Sequence, residues 1–454
     1  MPDRPQPNIL FVFSDQQRWD TLGCYGNPLD ISPNLDAMAR EGVRFDRAFT
    51  CQPVCGPARS CLQTGLYATA TGCWRNDIAL PLGVPTVPRH LSRAGYEVGY
   101  IGKWHLASTG PDVNHRTKPV PPEYRGGYDD FWLASDVLEF TSHGYDGHMF
   151  DADMNKVTFP EGRYRVDCVT DFALEYLRTR DGLRPFFLFL SYIEPHHQND
   201  HRHFEGPKGS KERFKDFPVP GDLAGTEGDF AGTAGDWREE LPDYLGCCAS
   251  LDRNLGRIRD ELARLGLTKN TLVVYASDHG CHFRTRNSEY KRSCHESSIR
   301  IPLIVSGPGF GGGRVVEDLV SLIDLPPTLL TEAGVPHKTM HGRALQPLLD
   351  GSAADWPEEV FVQISESQIG RAVRTARWKY SVTVPGKADR NNGARAYAYT
   401  EDFLYDLEAD PHERTNLVHD PAYGDVRADM AQRLRRRMIA ASEKEPEIFP
   451  AQPA

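Results

Sequence analysis

The sequence predicts an α/β protein: a doubly wound, mostly parallel central sheet with helices on both faces, followed by a small C-terminal antiparallel sheet with one helix. Three observations predict this class. Continuous apolar runs alternate with helical patterns over the first 350 residues or so, which is typical of a sheet covered on both sides. Short strands then replace the long runs, and a charged helix follows them.

Buried strands are predicted by runs of apolar, partly β-branched residues at 8–13, 186–190, 272–276 and 302–305, and a further strand by residues 98–101. Helical patterns lie between them. They cover residues 34–41, 86–94, 169–178, 244–265 and 325–333. The motif beginning at Cys55 is expected to open another helix.

The sequence pattern changes at about residue 356. Short strands are predicted at 360–364, 371–375, 379–384 and 403–406, and a charged helix from about 425 to 443. We therefore expect two units: an α/β domain at 1–350 that carries the chemistry, and a C-terminal α+β subdomain at 351–454.

Two segments, 107–165 and 198–241, are rich in Gly, Pro, Asp, His and aromatic residues and show no clear periodicity. Irregular segments of this length inside a compact domain are usually lids or binding loops. We expect them to select the substrate.

Composition excludes some functions. The chain has 454 residues, a net charge of −11 and dispersed acidic residues, which argues against a nucleic-acid partner. The longest apolar run, 186–193, is too short to cross a membrane, and the N-terminus leads directly into a strand without a targeting pattern, so a cytoplasmic protein is expected. Ten scattered cysteines favour reduced thiols over a disulfide framework. A homo-oligomer stays open.

Cys55-Gly56-Pro57-Ala58-Arg59 is the most informative motif. A Cys-x-Pro-x-Arg string also occurs by chance, and its plain interpretation is a buried cysteine beside a turn. Here it continues to Thr64-Gly65, which completes Cys-x-Pro-x-Arg-x-x-x-x-Thr-Gly. This extended pattern resembles the sulfatases, in which the matching cysteine becomes formylglycine and its hydrate acts as nucleophile.

The resemblance implies a chemical reason for the modification. A serine would be left carrying a stable covalent sulfate, whereas a geminal diol can attack with one hydroxyl and use the other to release sulfate. Arg59 lies one turn after Cys55 in the expected helix, where it can hold the diol and the oxyanion while the helix N-terminus adds positive potential. The resemblance also implies a formylglycine-generating enzyme as a maturation partner.

Asp15-Gln16 follows the first predicted strand, and Asp278-His279 follows the strand at 272–276. Ligands gather at the carboxyl ends of strands in such sheets, although each pair could also form a polar turn or cap. The resemblance implies that these four residues and the modified Cys55 bind one divalent cation. Hard oxygen ligands make calcium the first choice. Many family members have Asp in place of Gln16 and Asn in place of His279, and these two departures, which leave fewer carboxylates and add an imidazole, make manganese the alternative.

Lys103 and His105 follow the predicted strand at 98–101 and share one face in extended geometry. The plain interpretation is an exposed lysine and a packed histidine. The resemblance implies that Lys103 neutralises sulfate oxygens and that His105 is the base that drives sulfate release.

The same resemblance assigns three more residues to substrate: His196 near the leaving-group oxygen, Lys291 as a second substrate lysine, and Asn76 at a position shared with phosphonate hydrolases. Whether His197 or His295 contacts substrate stays open at this point.

The leading function is therefore hydrolysis of a sulfate monoester, with a sugar, an aryl group or another small organic alcohol as the leaving group. The alternative is a phosphonate monoester or phosphodiester hydrolase, in which tyrosine and threonine tend to replace Lys103 and His105. A binding protein with a decayed site would have lost a ligand or Cys55, and this sequence retains them.

Overall fold

The computed structural model describes residues 6–110, 112–226, 229–230, 233–386 and 393–451. Within these residues the strands form a twelve-stranded sheet, a two-stranded ribbon and a five-stranded sheet. In chain order the strands are β1 Asn8–Ser14, β2 Val43–Phe49, β3 Glu97–Lys103, β4 Phe131–Ser135, β5 Ser142–His143, β6 Asp146–Asp151, β7 Lys156–Thr158, β8 Phe186–Ser191, β9 Asp229–Phe230, β10 Thr233–Ala234, β11 Thr271–Ser277, β12 Arg300–Ile301, β13 Leu303–Ser306, β14 Arg314–Ser321, β15 Glu359–Ile364, β16 Gly370–Thr375, β17 Trp378–Thr383, β18 Ala398–Asp406 and β19 Glu447–Phe449.

The α-helices lie mostly between these strands. They are α1 Pro33–Glu41, α2 Cys55–Thr64, α3 Ala68–Thr71, α4 Val87–Arg93, α5 Arg165–Thr179, α6 Ser210–Arg213, α7 Trp237–Arg264, α8 Glu296–Ile299, α9 Leu325–Glu332, α10 Gln346–Asp350 and α11 Gly424–Ala440. Among the described residues, no helix combines the length and the apolar character that a membrane crossing requires.

The centre of the large sheet is parallel, as predicted. Strands β11, β1, β8, β3 and β4 run side by side in that order and all pair in parallel. The margins are different, since β13 joins β11 and β6 joins β4 in antiparallel fashion. The predicted strand at 302–305 is thus present as β13, but it runs against its neighbour β11 rather than along it.

Strand β1 shows how the sheet is covered on both faces. Ile9, Phe11 and Phe13 belong to the apolar core that contains residues of α2, α4 and α9. Leu10 and Val12 point the other way, into the core formed with α1, α5 and α7. Because side chains alternate along a strand, a continuous apolar run is the pattern that fills both cores at once.

The C-terminal sheet has the order β15-β16-β17-β18-β19. Its first four strands are antiparallel as predicted, and β19 adds a parallel pairing with β18. Met430 and Leu434 of α11 belong to the same core as Phe361 and Tyr380 of this sheet, and that core continues into the layer of α2 and α9. The boundary near residue 350 remains a prediction.

The expectation of irregular structure over 107–165 is wrong in part. This segment contains β4, β6 and β7, which extend the large sheet. Strand β6 has the sequence Asp-Gly-His-Met-Phe-Asp, in which only the adjacent Met149 and Phe150 are buried, so it has no period-2 pattern to predict it. Segment 198–241 likewise contains α6 and the start of α7 at Trp237.

Candidate active site

The polar residues predicted to act together meet at the carboxyl edge of the parallel strands. Asp15 follows β1, Lys103 ends β3, and Asp278 follows β11. Helix α2 begins at Cys55, as expected, and brings its N-terminus to the same place. In an open α/β sheet this edge is where ligands bind.

The Cys55 thiol lies at the centre of the group and is 1% exposed. Its Sγ is 3.0 Å from the Lys291 Nζ and 3.9 Å from the Lys103 Nζ. The His279 Nε2 and the Asp15 Oδ1 lie 3.3 and 3.4 Å from the same sulfur. Burial alone would raise the pKa of the Cys55 thiol, but the two ammonium groups bring it well below its usual range. The site therefore stabilises negative charge at residue 55.

Asp15 is completely buried and holds two cations. Its Oδ2 lies 2.7 Å from the Lys103 Nζ and accepts a hydrogen bond of 3.0 Å from Arg59. Burial favours the protonated acid, yet these cations keep the pKa of Asp15 well below its usual range. Asp15 is thus ionised at neutral pH.

Asp278 behaves differently from Asp15. Its Oδ1 accepts the Gln16 backbone N–H at 2.9 Å, while its Oδ2 is buried without a hydrogen-bond partner and lies 3.6 Å from the Arg59 Nη2. Burial and the charge of Asp15 raise the pKa of Asp278 to about 7. One donor atom from each of four buried residues lies within 4.8 Å of the others: Asp15, Cys55, Asp278 and His279. This donor set fits a divalent cation.

Gln16 borders the same group. Its backbone is left-handed, with φ of 68°, which turns the chain sharply after β1. Its Oε1 accepts a hydrogen bond of 3.4 Å from Lys291, and its Nε2 lies 3.5 Å from the Cys281 Sγ. The four predicted protein ligands and Cys55 are therefore neighbours in space.

Lys103 and Arg59 are anchored by the strand ends. The Arg59 Nη1 donates to the Lys103 carbonyl at 2.9 Å and to the Ser191 Oγ at 2.7 Å. Gly102 has φ of +108°, and a Cβ there would lie 1.9 Å from the Ser191 carbonyl oxygen. Only glycine fits, so the Gly102-Lys103 pair is fixed by the close approach of β3 and β8.

Lys291 and His196 form a direct pair. The Lys291 Nζ lies 3.1 Å from the His196 Nε2, and the His196 Nδ1 lies 2.6 Å from the His197 carbonyl oxygen. With Nδ1 as donor to that carbonyl, Nε2 accepts from Lys291. Burial, Lys291 and Lys103 lower the pKa of His196, so the imidazole is neutral and the lysine carries the proton.

Glu139 completes this pair and was missed by the sequence reasoning. Its Oε2 lies 3.5 Å from both the Lys103 Nζ and the His196 Nδ1, and its Oε1 accepts a 2.6 Å hydrogen bond from Asn199. Burial works against its charge, but the His196 ring when protonated, and the Lys103 ammonium, lower the pKa of Glu139. Glu139 belongs to the segment 107–165, and a lone carboxylate in an irregular stretch gives no motif by which to find it.

His105 and Asn76 lie beside the start of α2. His105 is half-buried and left-handed, with φ of 59°, and its Nδ1 has no hydrogen-bond partner. The Asn76 Oδ1 accepts the backbone N–H of Gly56 at 2.9 Å. Asn76 thus satisfies one of the free N–H groups at the first turn of α2.

The two remaining histidines have different surroundings. His197 stacks on Tyr290 with ring centroids 4.5 Å apart, and its Nε2 has no partner. The His295 Nε2 lies 3.1 Å from the Tyr405 hydroxyl, and its ring packs edge-on against Phe403. His295 therefore packs against the C-terminal sheet.

Residues of the C-terminal sheet and of the loops beside it also hold the segment that carries Lys291, through contacts to Arg292 and Glu296. Lys379 of β17 is buried and ion-pairs with Glu296 at 2.8 Å and with Glu413 at 2.6 Å. Glu366, in the turn after β15, pairs with Arg292 at 2.5 Å and accepts the backbone N–H of Asn76 at 2.6 Å. Residues beyond 350 thus hold both the segment that carries Lys291 and the backbone at Asn76.

Comparison with known proteins agrees with this geometry. Residues 7–335 match the Sulfatase family, and residues 288–440 match the C-terminal family of N-sulphoglucosamine sulphohydrolase. The chain is 32% identical to the uncharacterized sulfatase YidJ of Escherichia coli (strain K12) over 463 residues, 94% of this chain and 86% of that protein.

Two solved structures share the fold. One was determined in complex with its substrate D-glucosamine-2-N,6-O-disulfate; it has a TM-score of 0.80 and 24% identity, and covers 97% of this chain and 99% of its own. The other is the phosphonate monoester hydrolase of Agrobacterium radiobacter, with a TM-score of 0.73, 23% identity and 96% coverage of both chains.

The protein therefore belongs to the sulfatase family. It is a sulfuric ester hydrolase.

The raised pKa of Asp278 predicts how the stability of the metal-free protein depends on pH. Its pKa is about 7 in the folded protein against an ordinary value of 3.8, so between these values the native state binds more protons than the unfolded state. The free energy of unfolding should therefore fall as pH rises, by on the order of 1 kcal/mol per pH unit.

Urea unfolding of EDTA-treated wild type and Asp278→Asn between about pH 5 and 7 measures this contribution as the difference between the two slopes. Asp216→Asn, which changes an exposed aspartate, should keep the wild-type slope. Parallel curves for wild type and Asp278→Asn would contradict the assignment.

Proposed function

We propose that the protein hydrolyses a small organic sulfate monoester, with a sugar or aryl leaving group, by means of a formylglycine made from Cys55 and one divalent cation. One observation carries the proposal. The Cys55 side chain is buried at the N-terminus of α2, between the ammonium groups of Lys103 and Lys291 and beside the group of Asp15, Asp278 and His279. Such an environment serves an anionic nucleophile and an anionic substrate.

The cation would be held by Asp15, Gln16, Asp278, His279 and the modified residue 55. The Asp278 Oδ2 is buried without a hydrogen bond, 3.6 Å from the Arg59 guanidinium, and this supports the assignment, since a cation would satisfy it. Oxygen donors make calcium the first choice, and the imidazole of His279 makes manganese the alternative. When bound, the cation supplies Lewis-acid polarisation of a sulfate oxygen.

The formylglycine hydrate would supply the oxygen nucleophile and a second hydroxyl for sulfate release. Lys103 and Lys291 would bind sulfate oxygens, because both ammonium groups face the residue 55 side chain. Arg59 would fix Asp15 and the end of β3 rather than reach the sulfate itself. His105 is the proposed base at the second hydroxyl, and its unpaired Nδ1 supports this role.

Protonation of the leaving alkoxide is assigned to the pair of Lys291 and His196. Lys291 carries the proton in the free protein, and the neutral His196 orients its ammonium group from 3.1 Å. Glu139 would hold His196 and Lys103 in place, and Asn76 would fix the start of α2 beside the substrate. In this step the proton would move from the Lys291 Nζ to the oxygen of the leaving alkoxide.

A sugar sulfate is the preferred substrate class. The fold neighbour that binds a disulfated glucosamine supports this preference. We further propose maturation by a formylglycine-generating enzyme, a cytoplasmic location, and neither a nucleic-acid nor a membrane partner, in keeping with the net charge of −11.

A phosphonate monoester hydrolase is the second candidate, and the fold neighbour with that activity favours it. Lys103 and His105 argue for the sulfatase, because phosphonate hydrolases that resemble this chain tend to have tyrosine and threonine there.

Cys55 should be formylglycine in active preparations. Conversion of the thiol to the aldehyde lowers the mass of its peptide by about 18 Da, which peptide mass spectrometry detects. Cys55→Ala should abolish turnover and keep the fold, whereas Cys51→Ala, which changes another buried cysteine outside the motif, should keep most activity. Full activity with unmodified Cys55 would overturn the proposal.

Metal content should depend on both carboxylates. Asp15→Asn and Asp278→Asn should each lower calcium or manganese occupancy and activity together, because each removes a charged oxygen ligand. Asp324→Asn is the matched control, since Asp324 is also a buried aspartate but hydrogen-bonds the backbone of Ser321 and Arg343. A variant with full occupancy, measured by inductively coupled plasma mass spectrometry, would exclude that residue as a ligand.

Lys103 separates the two candidate functions. Lys103→Ala should lower kcat/KM for a sulfate ester by about 10² or more, the scale of a lost transition-state contact. The comparison is made with matched aryl sulfate and aryl phosphonate esters on the wild type and the variant. Faster wild-type cleavage of the phosphonate, with Lys103 dispensable, would favour the second candidate.

A further inference from the structure

A second group of metal-binding side chains lies outside the proposed active site. One donor atom from each of His143, Asp200 and His201 lies within 4.8 Å of the others, and a second such group contains His201, His203 and Glu205. The two groups share His201. They bring together three imidazoles and two carboxylates from the segments 142–146 and 198–205.

Each of the three imidazoles is oriented through its Nδ1. The His143 Nδ1 lies 3.0 Å from the Asp146 Oδ1, and the His201 Nδ1 lies 2.5 Å from the Glu205 Oε1. The His203 Nδ1 lies 2.9 Å from the Phe204 carbonyl oxygen. Metal-binding histidines are commonly held in this way, by a carboxylate or carbonyl on one nitrogen, so that the other nitrogen faces the ion.

The other nitrogen of His143 meets a carboxylate. The His143 Nε2 lies 2.9 Å from the Asp200 Oδ2, and the rings of His143 and His201 are stacked with centroids 4.1 Å apart and 10° between their planes. Ligands about 2.0 to 2.1 Å from a tetrahedral zinc ion lie about 3.4 Å from one another. Because the donor atoms lie within 4.8 Å of one another, they need to approach by at most about 1.4 Å to reach this spacing. The two stacked rings must also turn out of parallel, since the lone pair of each nitrogen lies in its own ring plane.

The location allows an ion to enter from solvent. The side chains of His143, Asp200 and His201 are 31%, 48% and 43% exposed. Two imidazoles and one carboxylate favour a borderline transition-metal ion over calcium, which prefers an all-oxygen shell.

We propose that His143, Asp200 and His201 bind one divalent ion of the zinc class, with solvent completing its coordination. The ion replaces the contact between the His143 Nε2 and Asp200, and any proton held there leaves to solvent. The segment 198–205 also reaches the active site, where Gln198 donates to the Glu139 carbonyl at 2.8 Å and Asn199 donates to the Glu139 carboxylate. A bound ion would link the segments 142–146 and 198–205 on the solvent side of these contacts.

Zinc binding to the full chain tests the proposal. The Asp278→Asn protein is treated with EDTA, dialysed into calcium and titrated with Zn²⁺ by isothermal calorimetry, so that the active-site ligands compete least. We expect one equivalent of zinc to bind, and its affinity to fall at least about tenfold when His143→Ala or His201→Ala is added. His419→Ala, which removes an exposed histidine outside the cluster, should leave binding unchanged.

A second measurement guards against a misfolded variant. Zn²⁺ should raise the Tm of the otherwise wild-type protein, and Asp200→Asn, which keeps the size of the side chain, should reduce that rise while its Tm without zinc stays close to that of the wild type. Equal zinc binding by wild type and the His143 and His201 variants, or no zinc bound, would overturn the proposal.

Discussion

The buried carboxylate of Asp15 is the interaction on which the site depends. It ion-pairs with Lys103 from β3 and Arg59 from α2, and it faces the Cys55 side chain. Breaking a buried pair by removing one partner leaves an uncompensated charge, at a cost of about 3 to 5 kcal/mol. The residues that bind an anion here therefore also hold strand and helix together, and a lost activity after substitution has to be separated from a lost fold.

The central strands could be predicted because each apolar run fills two cores at once. Strand β2 could not, since Arg44, Asp46 and Arg47 interrupt its apolar residues although Val43 and Phe45 are buried. Its pairing with the distant strands β13 and β14 supplies what local sequence does not indicate. Strand β6 was missed for the same reason, because its pairing with β4, β5 and β7 outweighs its weak local preference.

The site was predictable where residues follow a strand directly, as Asp15, Lys103 and Asp278 do. Residues that reach it from irregular segments were not, and Glu139 is the example, because only the fold brings its segment beside His196. The surroundings of His295 could not be read from sequence either. They depend on Tyr405, more than a hundred positions further along the chain.

Lys379 has a consequence for how this protein is made. Residues 8–278 supply both central carboxylates and Cys55, yet Lys291 lies in a segment fastened by Lys379 through Glu296, and Asn76 is held by Glu366. During translation, Asp15 and Asp278 are therefore synthesised before Glu366 and Lys379, which hold the other residues of the site in place. The last quarter of the chain therefore completes the site last. A nascent or truncated protein without these residues lacks the contacts that hold Lys291 and Asn76 in the anion pocket.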